Sequence, residues 1–356
     1  MNPKTTLIAN DVCWIEHTAK TQLEHVSNLP GVVRAVGLPD LHAGKNPVGI
    51  AVETDDILYP HLIGNDIGCG MGLFETPIAL KKYKQEKTVS RLNHIRALED
   101  IVAENPFDEE SPIYDLGTIG GGNHFAEFQV VHEVFDEQAF KTLGMDKGQF
   151  LLLIHSGSRG YGERILSEFL NYGGLPADST RASDYLKAHD NALLWAYRNR
   201  GIVAQKLIHW LGYGKEARLI LDCHHNYLEK RNGLYLHRKG AVSTLNGPVV
   251  IPGSRGSLTY LVMPATDTAH SAHSLSHGAG RKWARSLCKS RIKNKYDRDT
   301  IRQNKYGGRV VCHDTDLLFQ ETPEAYKNIE HVIASLLEHK LCTVIATLRP
   351  LLTYKG

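Results

Sequence analysis

The chain has 356 residues, 42% hydrophobic and 22% charged, a composition typical of a globular protein with a sizeable core. Its formal net charge of +2 does not by itself indicate a polyanionic partner. No run approaches the roughly 18 apolar residues of a membrane span. The N-terminal residues are polar, so we expect no signal segment. The six cysteines are scattered without a Cys-x-x-Cys pair, so we expect a cytoplasmic protein with no membrane partner.

Hydrophobic patterning predicts a mixture of strands and helices along the whole chain. The predicted strands are residues 32–36, 48–52, 125–134, 150–154, 219–221, 249–251 and 258–262, with a turn over 38–45. The predicted helices are residues 88–103, 184–211 and 323–337. There is no internal repeat or linker, and candidate site residues come from most of the chain. This distribution predicts one interwoven α+β domain over residues 1–356.

Six short blocks combine metal-binding or nucleophilic side chains with glycines or small residues, which let the backbone approach a ligand closely. The blocks are residues 64–70, 120–124, 155–160, 223–226, 252–254 and 276–281. Each block alone also has an ordinary explanation, such as a buried cysteine or a histidine in a turn. Six blocks in one chain predict a metalloenzyme that acts on phosphates.

The first block places a carboxylate and a thiol in one glycine-framed turn. Asp66 and Cys69 are three residues apart. At that spacing both side chains can reach one metal cluster, and a thiolate can bridge two ions.

Histidines follow predicted strands or glycine loops in three further blocks. His124 follows a run of three glycines and an asparagine, and His155 ends an apolar strand. His224 and His225 follow another strand predicted to be buried. Because adjacent side chains of a strand face opposite ways, only one of this pair should reach the site, the other being a packed core histidine.

The last block is predicted to open a helix that runs through Trp283. A helix N-terminus offers free N–H groups to a phosphate, and His277 there could be a ligand, a general base or a nucleophile. Residues 281–309 contain eleven Lys or Arg and two interleaved tyrosines besides Trp283. This pattern suits phosphate contacts and base stacking, although basic runs are more often solvated surface.

With these blocks, the chain resembles the RtcB family of RNA ligases. The matching segments run in family order and are residues 38–45, 66–71, 116–120, 122–125, 155–160, 224–227, 238–241, 251–254, 276–281, 323–329 and 355–356. The resemblance implies an RtcB-type α+β domain with its active site in a central cleft. It implies ligation of RNA ends carrying a 2′,3′-cyclic phosphate or 3′-phosphate to 5′-hydroxyl ends, with GTP and two Mn²⁺ ions. The implied intermediates are a GMP-histidine and an RNA-(3′)pp(5′)G end.

The resemblance also implies a role for individual residues of this chain. His277 would attack the α-phosphate of GTP. The two Mn²⁺ ions would be held by Asp66, Cys69, His124, His155 and His225, with Cys69 bridging them. The guanylate would be positioned by Asn123, Glu127, Asn226, Ser254, Gly278, Tyr326 and Lys355. RNA contacts are expected from Arg159, Arg281 and Arg285.

The chain departs from the family pattern without losing an implied ligand. It is short, and it differs at Asn65, Pro47, residues 312–316 and the C-terminus. These departures indicate a shorter bacterial branch, similar to one associated with a release-factor homologue. The expected substrates are broken tRNA or rRNA, and a release-factor homologue or an archease-like activator is the expected protein partner.

Two alternatives remain open. A metal-dependent phosphoesterase could open cyclic phosphates without ligation, in which case its activity would not need GTP or His277. A non-catalytic RNA-binding partner of a release factor would bind RNA in a salt-dependent manner and would not need Cys69.

Overall fold

The computed structural model describes residues 3–95, 98, 101, 116–297 and 299–356. Its strands are β1 (Thr5–Leu7), β2 (Val32–His42), β3 (Val48–Thr54), β4 (Ile57–Leu58), β5 (Gly70–Ala79), β6 (Phe125–Val134), β7 (Gln149–Ser156), β8 (Leu175–Pro176), β9 (Arg218–His224), β10 (Asn226–Arg231), β11 (Leu234–Lys239), β12 (Ala241–Ser243), β13 (Val249–Pro252), β14 (Thr259–Pro264), β15 (Ser274–Ser276), β16 (Arg309–Cys312) and β17 (Cys342–Lys355). Its α-helices are α1 (His17–Ser27), α2 (Pro60–Ile63), α3 (Gln85–Asn93), α4 (Glu137–Thr142), α5 (Gly160–Phe169), α6 (Thr180–Trp210), α7 (Arg285–Ile292), α8 (Thr315–Gln320) and α9 (Ile329–Glu338).

Two larger sheets organise these elements. One has five strands in the order β1-β2-β3-β11-β10. The other has eight, in the order β13-β14-β17-β6-β7-β5-β9 with β16 paired to β17. A shared core joins them, because Val36 and Leu236 of the first sheet lie in one apolar cluster with Ile251 and Val262 of the second. The predicted α+β class is confirmed.

Helix α6 covers one face of the eight-stranded sheet. Phe150 and Leu152 of β7 lie in one cluster with Val203 of α6, whereas Leu151 and Leu153 belong to a different cluster on the other face. Because side chains of a strand alternate between faces, His155 lies on the face away from α6.

On that same face, the register of the sheet places residues of β5 and β6 beside His155 of β7, and a residue of β6 beside a residue of β17. Met71 of β5 and Phe125 of β6 both lie opposite His155 of β7. Glu127 of β6 lies opposite Thr353 of β17. The strand ends of this sheet therefore bring together residues that are far apart in sequence.

Most predicted strands are confirmed, with β6 at its predicted bounds. The helix predicted over 184–211 extends from Thr180 to Trp210, and that predicted over 323–337 is a 3₁₀ turn followed by α9. Helix α3 ends at Asn93, and residues 96, 97, 99, 100, 102 and 103 of the predicted helix lie outside the described residues.

The helix predicted to begin in residues 276–281 is wrong, because α7 begins only at Arg285. Gly280 has φ +71°, and a side chain there would overlap the carbonyl of Asp40. The backbone N–H groups of Ala279 and Lys282 donate to the carbonyls of Pro252 and Ala325 rather than to a helix.

Two further predictions need correction. The turn predicted over 38–45 is mostly strand, because β2 extends to His42 with an irregular register against β3. The strand β9 is only partly buried, although it was predicted to be buried. Within the described part of the chain, every helix is too short or too polar to cross a membrane. The single-domain boundary of 1–356 stays a prediction.

Candidate active site

A cavity of about 650 Å³ opens over the face of the eight-stranded sheet that α6 does not cover. Its size suits a nucleotide-sized ligand. Every site residue predicted from the sequence lines this cavity, from the Asp66 turn to Lys355 near the chain end. The cavity has two ends. We name one the metal-binding end after the metal ligands predicted there (Asp66, Cys69, His124, His155 and His225), and the other the tyrosine end (Glu127, Ser254, Glu321, Tyr326 and Lys355).

The metal-binding end brings one thiol, three imidazoles and one carboxylate into contact. Cys69 Sγ lies 3.3 Å from His124 Nε2 and 3.2 Å from His155 Nε2. His155 Nε2 is 3.4 Å from His225 Nε2. Asp66 Oδ2 is 2.9 Å from His124 Nε2. All five predicted ligands therefore converge, although they come from four separate segments of the chain.

Backbone contacts hold the Asp66 turn in place. The backbone N–H of Arg159, at the start of α5, donates to Asp66 Oδ1 at 3.0 Å. Gly157 lies directly against the same carboxylate, and a side chain at that position would overlap it. A glycine is thus required at position 157 of this block, because the backbone there packs against Asp66, a predicted metal ligand.

The protonation states of the histidines suit a cation. Burial holds the pKa of His155 and of His225 well below the ordinary value, which favours the neutral imidazole that ligates metals. His155 Nδ1 lies 3.1 Å from the carbonyl of Asn123, so donation there leaves Nε2 unprotonated toward Cys69. The buried Nδ1 of His225 has no hydrogen-bond partner among the described residues.

Burial affects Cys69 differently from the histidines, because it favours the protonated thiol over the thiolate that ligates metals. Burial, and then the charge of Asp66, raise the pKa of its thiol well above the ordinary value. A divalent cation at this point would stabilise the thiolate. The sulfur, nitrogen and oxygen donors together fit transition-metal ions, such as Mn²⁺ or Zn²⁺, better than Mg²⁺.

Arg200 of α6, which is fully buried, ties three of these segments together. Its NH1 group donates to the carbonyls of Gly68 at 2.9 Å and Ser156 at 2.7 Å. Its Nε and NH2 each lie 2.6 Å from Asp222 of β9. Its NH2 is also 3.1 Å from His224 Nδ1, so His224 packs away from the metal-binding end while His225 faces it.

We expect Arg200→Met to lower the free energy of unfolding by about 3–5 kcal/mol, because Asp222 would become a buried charge without its partner. Urea denaturation of the purified variant measures this change. The double variant Arg200→Met/Asp222→Asn should recover part of the loss, since it removes the unpaired charge as well. A single variant within about 1 kcal/mol of the wild type would contradict this account.

His277 lies beside the metal-binding end and is paired with a buried carboxylate. Asp40 of β2 accepts the backbone N–H of His277 at 3.1 Å with Oδ2, and the same oxygen is 2.5 Å from His277 Nδ1. Burial would raise the pKa of Asp40, but the charge and hydrogen bond of His277 outweigh it and lower that pKa. An ionised Asp40 keeps the proton of His277 on Nδ1 and leaves a lone pair on Nε2.

Asp40 is itself held by neighbouring groups. Lys327 Nζ donates to the carbonyls of Pro39 at 3.1 Å and Leu41 at 2.6 Å, on both sides of Asp40. The rings of His277 and His225 are 4.8 Å apart between centroids. His277 thus lies next to the predicted ligands, with one nitrogen occupied by Asp40.

The tyrosine end is built around a buried carboxylate, Glu321. Its oxygens accept hydrogen bonds from Arg281 NH1 at 3.0 Å and from the hydroxyl of Tyr326, and Lys355 Nζ lies 3.7 Å away. The guanidinium of Arg281 also lies 5.1 Å from the centre of the Tyr326 ring. The side chain of Arg281, one of the three predicted RNA contacts, is therefore bonded to Glu321 and packed against Tyr326 in the wall of the cavity.

Of the other two predicted RNA contacts, Arg285 is the more accessible. Arg285 has a side chain that is 46% exposed, with Nε 3.6 Å from Glu321. Arg159 NH1 lies 3.0 Å from His124 Nδ1, at the edge of the metal-binding end. Both residues line the cavity.

Sequence reasoning missed Asp40, Arg200, Glu321 and Lys327. Asp40 lay in a segment interpreted as a turn, and the clearest available signal was a lone acid between Leu38 and Leu41, which are both fully buried. Arg200 carried no local signal, because it lies within a long helix and far in sequence from its partners.

The comparisons with known proteins agree with one another. The family model described as tRNA-splicing ligase RtcB matches residues 22–102 and 100–356. The RNA-splicing ligase RtcB2 of Escherichia coli is 41% identical over 366 aligned residues, which cover 98% of this chain and 95% of that protein. The tRNA-splicing ligase RtcB of Nanoarchaeum equitans is 28% identical over 440 residues, covering 94% and 91%. The chain therefore belongs to the RtcB family.

Proposed function

We propose that the protein is a GTP-dependent RNA ligase that joins 2′,3′-cyclic phosphate or 3′-phosphate ends to 5′-hydroxyl ends. The observation that carries this proposal is the His277–Asp40 pair beside a cluster of five metal-binding side chains. A histidine with Nδ1 fixed and Nε2 free is suited to form a covalent nucleotide adduct. The names of the similar proteins, which are RNA-splicing or tRNA-splicing ligases, support the same reaction class.

In the first step, His277 Nε2 attacks the α-phosphorus of GTP. The new P–N bond replaces the bond to the β-phosphate oxygen, and pyrophosphate leaves with that electron pair. The Nδ1 proton stays on His277, and the carboxylate of Asp40 that accepts it stabilises the positive charge developing on the ring. The product is GMP joined to His277.

In the later steps, the GMP passes to RNA. An oxygen of the RNA 3′-phosphate attacks the GMP phosphorus, the P–N bond breaks, and His277 recovers its lone pair. The RNA 5′-hydroxyl then attacks the activated 3′-phosphorus, loses its proton, and displaces GMP. A 2′,3′-cyclic phosphate must first be opened by water to a 3′-phosphate.

Asp66, Cys69, His124, His155 and His225 of the metal-binding end would hold two Mn²⁺ ions. Bound there, such ions would neutralise phosphate charge and orient the reacting oxygens. Asn123, Asn226 and Gly278 line the cavity close to this end and would contact the phosphates and ribose of the guanylate. Arg159 and Arg285 would guide the RNA ends to it.

The tyrosine end would hold the guanine base. Tyr326 supplies an aromatic ring, Ser254 a hydroxyl, Lys355 a donor and Glu127 an acceptor for the guanine N1–H and amino groups. Burial raises the pKa of Glu127 to about 6, although hydrogen bonds from Thr353 and Gln129 oppose this shift. Only the ionised carboxylate would accept two hydrogen bonds from guanine.

We therefore expect GMP to bind more weakly in acid. Affinity should be constant above about pH 7 and then fall with a slope approaching about tenfold per pH unit below pH 6, because guanine would select the ionised form of Glu127. Calorimetric titration at several pH values measures this slope. In Glu127→Gln the slope due to this group should disappear, and an identical profile in both proteins would exclude Glu127 as the titrating group.

The ligase proposal is tested with a synthetic RNA pair, one strand ending in a 3′-phosphate and the other starting with a 5′-hydroxyl. Joining that requires both GTP and Mn²⁺ supports the ligase. Opening of a cyclic phosphate that proceeds without GTP and in His277→Ala would support the phosphoesterase alternative instead.

Broken tRNA or rRNA is the substrate class we propose, with a release-factor homologue or an archease-like activator as partner. All six cysteines are buried and free, which supports a reducing location such as the cytoplasm. Ligation of nicked tRNA by the protein alone, compared with ligation in the presence of either partner, would distinguish these possibilities.

A further inference from the structure

Arg255 is a buried cation at the tyrosine end that the sequence analysis did not single out. It lies between β13 and β14, directly after Ser254, and is only 9% exposed. Its backbone carbonyl accepts a hydrogen bond from Asn304 Nδ2 at 3.1 Å, which anchors the loop. The residue lines the same cavity as Glu127, Tyr326 and Lys355.

The guanidinium of Arg255 is only partly satisfied. Its NH2 donates to the carbonyl of Ile301 at 2.9 Å. Its Nε and NH1 have no hydrogen-bond partner among the described residues, although both atoms are buried. Leaving a buried charged donor without an acceptor is unfavourable, so a donor group of this kind beside a cavity indicates that a ligand supplies the acceptor.

The surroundings of Arg255 indicate which acceptor this is. Within the described residues, neither Glu127 nor Glu321 forms an ion pair with Arg255. Each of these carboxylates interacts with the guanidinium only through its charge, at longer range. The phosphate-binding groups lie at the other end of the cavity, around His277. Among the acceptors of the proposed nucleotide away from its phosphate, O6 and N7 of guanine form the base edge that arginine recognises more often than any other.

We propose that Arg255 donates to the O6/N7 edge of guanine and selects guanine over purines with an amino group at position 6. This inference rests on the proposed function, because that function places the base at the tyrosine end. Glu127 and Arg255 would then read complementary sides of the base, one as acceptor and one as donor. An amino group at position 6 would face the guanidinium with a second donor, and neither could be satisfied.

The test compares binding of GMP with binding of 2,6-diaminopurine riboside monophosphate, which has an amino group at position 6, lacks the N1–H that Glu127 would accept, and keeps the amino group at position 2. Because the loss of the N1–H affects the wild type and the Arg255 variants alike, the change between proteins for each nucleotide isolates Arg255. Dissociation constants are measured by calorimetry for the wild type, Arg255→Met and Arg255→Lys. Methionine removes the donors at similar length, so we expect GMP affinity to fall roughly tenfold to a hundredfold. The diaminopurine nucleotide should bind Arg255→Met at least as tightly as it binds the wild type. The affinity of Arg255→Lys for GMP should lie between those of Arg255→Met and the wild type.

Arg302→Met is the matched control, because Arg302 donates to the carbonyl of Cys312 and does not line the cavity. It should bind both nucleotides as the wild type does. An equal loss for both nucleotides in Arg255→Met, or no loss for GMP, would overturn the proposal. Thermal unfolding of each variant identifies any loss that comes from misfolding.

The binding measurement is separate from the chemistry. Covalent labelling of His277 by GTP tests the proposed function, whereas the selectivity of GMP binding tests Arg255. Arg255-dependent GMP binding without labelling would support the inference and contradict the ligase. Labelling with unchanged selectivity in Arg255→Met would support the ligase and contradict the inference.

Discussion

His277→Ala should abolish covalent labelling of the protein by α-³²P-GTP, to below roughly one part in a thousand of the wild-type level. The reason is that the imidazole Nε2 is the atom that we propose to form the P–N bond, and alanine offers no substitute nucleophile. Incubation with and without Mn²⁺, followed by a denaturing gel, measures the label. In the wild type the label should require Mn²⁺ and should be lost in acid, as expected of a phosphoramidate.

His270→Ala is a suitable control for this experiment. His270 is exposed on the turn before β15, its Nε2 is 3.1 Å from the carbonyl of His339, and it does not line the cavity. The control should be labelled like the wild type. A label that persists in His277→Ala would move the covalent step to another residue and remove the central argument for the ligase.

Asp40→Asn should slow formation of the labelled protein by at least about a hundredfold, with a smaller effect on the KM for GTP. The amide has almost the same shape as the carboxylate but no charge to stabilise the developing imidazolium. If its NH₂ group turns toward His277, it also displaces the proton from Nδ1 to Nε2, which occupies the attacking lone pair. Rapid-quench labelling at several GTP concentrations separates the rate from the KM.

Asp267→Asn provides the comparison for this prediction. Asp267 is exposed and does not line the cavity, and its Oδ1 accepts the backbone N–H of Ala269 at 3.0 Å. The Asp267→Asn variant therefore shows the effect of losing one carboxylate charge outside the site. Its labelling rate should be unchanged. If Asp40→Asn labelled at the wild-type rate while retaining the wild-type melting temperature, Asp40 would have no role in setting the reactivity of His277.

The order of elements was partly predictable because strands and helices leave a periodic pattern. The strand at Phe125–Val134 and the helix at Thr180–Trp210 follow that pattern closely. The prediction of a helix starting within residues 276–281 was wrong. The backbone conformation of that segment is set by its glycines and by long-range hydrogen bonds to the carbonyls of Pro252 and Ala325. Local propensity contains no information about those two distant carbonyls.

The sequence by itself determined which side chains were available for chemistry, and the resemblance assigned their roles. Cysteine, histidine and aspartate beside glycine are recognisable wherever they lie, since ligand chemistry depends on residue type and local backbone freedom. Only the tertiary structure decided that these segments line one cavity. The residue pattern left open which of His224 and His225 reaches the site, the resemblance implied His225, and the structure places His225 beside the other predicted ligands while His224 bonds to Arg200. It also decided that Asp40 pairs with His277 across 237 residues of sequence. Such contacts depend on sheet register and on the packing of β2 against the loop after β15, which no short stretch of sequence specifies.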